Sequence, residues 1–97
     1  MTIIKQTDNG ISVTGHAGYA EAGKDIVCAG VSVLVQTMIA SIEELTTDKI
    51  QYDIQPAMVN IQYGDLSEQA RLLVNSFFVG VEMIANEYPH YVRVSKH

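Results

Sequence analysis

The chain has a single cysteine, so no disulfide can close within it, and a reducing compartment, the cytoplasm, is the expected location. Six basic residues against eleven acidic ones give a net charge of −5, and the lysines and arginines nowhere cluster. Direct nucleic-acid binding, which depends on neutralising phosphates, is therefore not expected as the main activity. An acidic surface suits a basic protein tail instead. The N-terminus, Met1 to Asp8, lacks the basic, apolar and small-residue progression of a secretory signal. Repeats, linkers and low-complexity tails are missing too. The uncharged run from Ile26 to Ile42 is short of the ~20 residues a bilayer requires and holds Ser32, Gln36, Thr37 and Ser41. It reads as a buried core or interface helix, with no membrane partner.

What remains is 97 residues, 47% of them hydrophobic, enough for one small domain over residues 1–97. Ile3-Ile4 and Ile11 to Thr14 flank Asp8-Asn9-Gly10, and Asn-Gly between β-prone runs predicts a hairpin over 2–7 and 10–16. Residues 17–24, with two glycines, three alanines and no β-branched residue, read as a mobile loop. Asp25 suits the N-cap of a helix from Ile26 to about Leu45. Apolar residues occur nearly all round that helix, which predicts burial of most of its circumference and hints at a dimer. Residues 49–55 and 58–63 alternate as two antiparallel strands with one wet face, joined by Gln55-Pro56-Ala57. Asp65-Leu66-Ser67-Glu68 resembles a capping box opening a second helix that ends at Asn86 or Glu87, before Pro89. Residues 91–94 read as a last strand. The order β-β-α-β-β-α-β predicts an α+β fold: a two-layer sandwich, its mostly antiparallel sheet carrying both helices on one face.

Candidate chemistry gathers where the hairpin ends and the first helix begins. Cys28 is the third residue after the Asp25 cap, where unsatisfied amides and the positive end of the helix dipole favour a thiolate. Lys24 adds to that field and Asp25 opposes it. His16 closes the hairpin, and strand exit, loop and helix start can meet at one end of the sheet, making a Cys28–His16 dyad. Each residue also has a plainer role: Cys28 as a small core hydrophobe, His16 as a surface residue, Asp25 as a cap alone. Asp25 as the third member of a triad is the less favoured option. Ser32, one turn beyond Cys28, supports the site or bonds back to a helix carbonyl. Gly18 to Lys24 imitates a phosphate loop, but Asp25 stands where Ser or Thr must hold magnesium, and the alternating β-α units are lacking. His16, His90 and His97 show no metal-ligand spacing, so no metal or cofactor is expected.

Gly15-His16-Ala17 followed by Gly23-x-Asp25-Ile26-Val27-Cys28-Ala29-Gly30-Val31-Ser32 resembles the signature of the ribosomal-processing cysteine proteases, the Prp family. The resemblance implies a cysteine endopeptidase, usually a homodimer, that removes an N-terminal extension from a large-subunit ribosomal protein, number twenty-seven, cutting after phenylalanine in an apolar stretch. It implies Cys28 as nucleophile and His16 as its base and proton donor. In that mechanism the amides around Cys28 and Ala29 are the expected oxyanion donors, and Gly15 lets backbone approach beside His16. The loop would act as a lid, with Gly18 and Gly23 allowing it to reorder and Tyr19 either touching substrate or packing the loop down. The rival reading is a non-catalytic ribosome-assembly or peptide-binding module with a structural cysteine.

Overall fold

The computed structural model describes residues 1–21 and 23–96. Five strands and two helices follow in the order β1 (Thr2–Thr7), β2 (Gly10–Thr14), α1 (Ile26–Leu45), β3 (Gln51–Gln55), β4 (Met58–Gln62), α2 (Glu68–Glu87) and β5 (Val92–Ser95). The sheet runs β3-β4-β2-β1-β5. Its neighbours are antiparallel except β1 and β5, which pair in parallel after α2 carries the chain back. This is the α+β two-layer sandwich expected from the sequence.

The hairpin forms with residues 8 and 9 between its strands, as the expected bounds have it, and its second strand stops at Thr14 instead of 16. Thr7 pairs with Gly10, so Asp8 and Asn9 make the turn, and neither takes a positive φ. Gly10 is needed for another reason. It is buried against β4, and a Cβ there would run into the Ile61 carbonyl oxygen. Asn9 contributes through its backbone, its carbonyl accepting from the Tyr63 N–H at 3.0 Å.

The core lies between the sheet and the helices. Ile4, Ile11, Val13, Ile61 and Val92 meet Val27, Val31, Val35, Met38, Ile39 and Ile42 of α1 and Ala70, Val74, Phe77, Phe78 and Val81 of α2. Each such aliphatic or aromatic side chain contributes about 1.5–3 kcal/mol on burial. By length and hydropathy α1 resembles a membrane span, and it spends one stripe on this core. Burial of most of its circumference does not occur: Val33 is 63% and Leu45 70% exposed. In a two-layer fold a helix is covered by the sheet and one neighbouring helix, and its outer face stays open.

The sheet is also wider than its cover. Two helices about 10 Å across shield about four strands at ~4.8 Å spacing. Strand β3, at the edge, is the one left out. Ile54 pairs with Val59 and Tyr52 with Ile61, which puts both on the core's side of the sheet, yet they are 49% and 44% exposed.

Helix α2 starts two residues later than a capping box at Asp65 would have it. Ser67 is the N-cap, its Oγ accepting from the Ala70 N–H at 3.1 Å. The same hydroxyl donates to Asp48 Oδ1, and the Ser67 N–H donates to Asp48 Oδ2 at 2.8 Å. Thr46 readies Asp48 for this: its hydroxyl donates to the Ile42 carbonyl at 2.7 Å and accepts from the Asp48 N–H at 3.1 Å. The end of α1 is thereby tied to the start of α2. The Ser67 hydroxyl, ahead of its backbone N–H, holds the Asp48 carboxyl below its usual range. Ser67→Ala is expected to cost about 1 kcal/mol and to lower the melting temperature by about 4–8 °C. Calorimetry checks this, and adding Asp48→Asn should cost less than the sum of the single effects, because the two residues share one network.

Candidate active site

Strand β2 ends because Gly15 turns the chain. Its φ of +86° belongs to glycine, and a Cβ there would strike the Met1 carbonyl oxygen. Two bonds fix it: the Gly15 N–H donates to the Ala57 carbonyl at 2.8 Å, and the Thr2 hydroxyl donates to the Gly15 carbonyl at 3.4 Å. His16 follows, exposed at the end of the sheet, and Ala17 then buries its methyl in the core.

The thiol waits beside this corner. Cys28 is half-buried in the first turn of α1, and the Ala17 N–H donates to its Sγ at 3.2 Å. No hydrogen bond joins the imidazole to Cys28 among the described residues. His16 and Cys28 instead share the walls of two cavities, with Ser32, also exposed, as a third shared residue. One cavity, of about 280 Å³, lies between α1 and the β3–β4 turn. The other, of about 590 Å³, lies at the N-terminus of α1 against Gly18, Ala20, Gly23, Lys24 and Asp25.

Asp25 is the N-cap of α1 and does more than cap. Its Oδ1 accepts from the N–H groups of Val27 at 3.0 Å and Cys28 at 2.9 Å. Its Oδ2 accepts from Tyr19 at 3.0 Å and Ala20 at 3.5 Å. The Cys28 amide, first among these donors, holds the carboxyl below its ordinary range against the opposing effect of desolvation. These bonds commit Asp25 to backbone, so it does not orient His16, and a triad is not assembled. They also alter the expected oxyanion site. The Cys28 amide is taken by Asp25 Oδ1, and the Ala29 amide donates to the Asp25 carbonyl at 3.0 Å. The amide aimed at the sulfur is that of Ala17, which the sequence did not single out.

The loop is docked. Tyr19 stands edge-on between Tyr88 and Tyr91, with ring centroids 5.3 Å from each. It packs the loop against the end of α2 and the approach to β5. Gly18 and Gly23 take φ of +75° and +85° on either side. Ala22 lies outside the described residues. Lys24 pairs with Glu21 at 3.3 Å on the open surface, a contact of little energetic weight. His90 is exposed beyond α2, and His97 lies outside the described residues. Tyr88 and Tyr91, around Pro89, are the partners that the chain order alone does not pair with Tyr19.

A thiol at a helix start, an imidazole on the same cavity walls and an apolar cleft beside them fit a cysteine-type peptidase. The comparisons agree. A family model described as cysteine protease Prp matches residues 1–93. The ribosomal processing cysteine protease Prp of Staphylococcus aureus (strain NCTC 8325) is 32% identical over 94 residues, covering 94% of this chain and 87% of that one. The protein of that name from Bacillus subtilis (strain 168) is 30% identical over 104 residues, covering 97% and 93%. Among solved structures, S. aureus Prp in complex with a covalently linked product peptide superposes with a TM-score of 0.90 at 25% identity, covering 99% and 97%. SMU.848 from Streptococcus mutans gives 0.75 at 28%, covering 98% and 90%. The chain belongs to the Prp family of ribosomal processing cysteine proteases.

Asp25→Asn separates the two duties of this carboxylate. An amide keeps an acceptor oxygen for the helix start but turns an NH₂ toward Tyr19 and Ala20. Hydrogen exchange is expected to quicken at Tyr19 and Ala20 and to change little at Cys28. Because the folded pKa is depressed, the wild-type advantage is full above the unfolded value of about 3.9 and fades as pH falls through the lower folded value. The difference in stability between the wild-type and Asn variants should therefore start to shrink below about pH 4 and close only once pH has fallen through the lower folded value.

Proposed function

We propose that this protein is the endopeptidase that removes the N-terminal extension of large-subunit ribosomal protein number twenty-seven, cutting after phenylalanine with a Cys28–His16 dyad. The carrying observation is the junction of Gly15–Ala17 with the first turn of α1, where sulfur and imidazole line the same cleft. Family membership supplies the reaction class, and a bound product peptide in the S. aureus relative supports a peptide substrate. The net charge of −5 favours the basic body of a ribosomal protein.

His16 takes the thiol proton as the Cys28 sulfur bonds to the scissile carbonyl carbon. The C–N bond then breaks, and His16 returns the proton to the leaving amine. Water, deprotonated by the same imidazole, cleaves the thioester and frees the thiol and a carboxylate. The Ala17 N–H holds the sulfur before attack. The Cys28 and Ala29 amides can serve the oxyanion only by giving up their Asp25 partners. Tyr19 must leave Tyr88 and Tyr91 for the loop to rise as a lid. A cytoplasmic homodimer completes the proposal. Leu72, Val79 and Met83 lie exposed along one stripe of α2, with spacing that suits a second copy.

Mass spectrometry of a peptide spanning the extension tests the reading. Wild type is expected to cut after phenylalanine. Cys28→Ala should abolish cleavage, and His16→Ala should lower kcat by about 10²–10⁴-fold, with both variants folded. Cleavage that survives in Cys28→Ala would sink the proposal.

A further inference from the structure

Among the described residues no side chain holds His16 in place. The imidazole is exposed and makes no hydrogen bond there, and Asp25 is committed to backbone amides. A base that serves a nucleophile is ordinarily oriented by a third group. Here that duty falls to the main chain, and the main chain just before the histidine is glycine, the residue least restrained in rotation. The Gly15 carbonyl shares one planar peptide unit with the His16 nitrogen and Cα. Whatever fixes that carbonyl therefore fixes the root of the histidine side chain.

We propose, resting on the dyad reading above, that Thr2 is a positioning residue for His16 and acts through the Gly15 peptide. Its hydroxyl donates to the Gly15 carbonyl at 3.4 Å. Thr2 stands two residues before Ile4 on the core face of β1, where another apolar side chain would suit. It is instead the buried polar residue among those described, 2% exposed. A hydroxyl so placed requires an acceptor, and Gly15 supplies it. Thr2 also lines the same cavity as His16 and Cys28. A residue that positions another must itself be held, and Thr2 is. Its N–H donates to the Tyr91 carbonyl at 2.9 Å, and it pairs with Val92 of β5. Branching at Cβ leaves its side chain few rotamers. Gly15 is thus gripped at both polar groups, its N–H by the Ala57 carbonyl at 2.8 Å and its carbonyl by Thr2. Of these two bonds, the one from Thr2 is made by a side chain, so a substitution can remove it alone.

Thr2→Val keeps the shape of the side chain and removes the hydroxyl. Gly15 is exposed, so water can satisfy its carbonyl and the variant should fold, which its melting temperature checks. The rate of Cys28 alkylation by iodoacetamide at neutral pH reads the help His16 gives the thiol, with no substrate present. Thr2→Val is expected to slow it several-fold and Thr2→Ser to restore it. In the His16→Ala background Thr2→Val should make no further difference, because its effect passes through the imidazole. Equal slowing with and without the imidazole would mark a merely structural role and overturn the proposal. So would an unchanged rate in folded Thr2→Val when His16→Ala is slow. If valine does not fold, Thr2→Ala is measured in both backgrounds with the same expectations. A rate that His16→Ala leaves alone would instead refute the dyad on which the proposal rests. With the extension peptide, Thr2→Val should lower kcat by about tenfold to a hundredfold at an unchanged KM, the scale on which misplacing a catalytic group is felt. A raised KM with kcat intact would make Thr2 a wall of the cleft and overturn the positioning role. Failure of wild type to cut the peptide would count against the substrate named above, while alkylation still judges Thr2.

Discussion

One carboxylate organises the end of this molecule that holds the thiol. Asp25 collects N–H groups from both sides of itself in the chain, Tyr19 and Ala20 from the loop and Val27 and Cys28 from the helix. Without it the first turn of α1 would lack its acceptor and the loop would lack its tether. With it, the loop is drawn back over the helix start, and the Ala17 N–H comes to rest on the Cys28 sulfur. The thiol is thus placed by backbone geometry, and the charge that places it is committed to hydrogen bonds with amides.

The sheet supplies the other half of the site. Parallel pairing of β1 with β5 and antiparallel pairing of β2 with β4 bring Gly15, the β3–β4 turn and the start of α1 to one end. Gly15 is confined there by the Met1 carbonyl, and its turn delivers His16 to the cleft. The uncovered edge strand completes the arrangement. Five strands under two helices leave an apolar strip without cover, and that strip reaches the thiol.

Much of this could be read from residue order. The period-2 runs, the Asp25 cap and the helix end before Pro89 specify their elements locally, and these appear where local chemistry puts them. The signature from Gly15 to Ser32 gave the family. The misreadings arose where a distant partner decides. The second strand was read to residue 16, but it stops at Thr14 because Gly15 answers to Met1 and Ala57. Asp65 looked like the cap, but Ser67 wins because Asp48, 19 residues earlier, braces it. Helix α1 looked buried all round, since composition does not reveal how many layers a fold has. Tyr19 had two roles open, and only the fold brings Tyr88 and Tyr91 to it. The oxyanion donors expected around Cys28 and Ala29 were argued from helix-end chemistry, which leaves out the acceptor that Asp25 itself provides.

The central claim is that the loop and helix junction presents Cys28 as the attacking atom. Intact-protein mass spectrometry of rapidly acid-quenched mixtures with the extension peptide tests it most directly. The account predicts a transient adduct equal in mass to the N-terminal fragment less water, mapped to Cys28 and absent from Cys28→Ala. Turnover of the peptide with Cys28 unmodified at every time point, and with Cys28→Ala equally active, would contradict it.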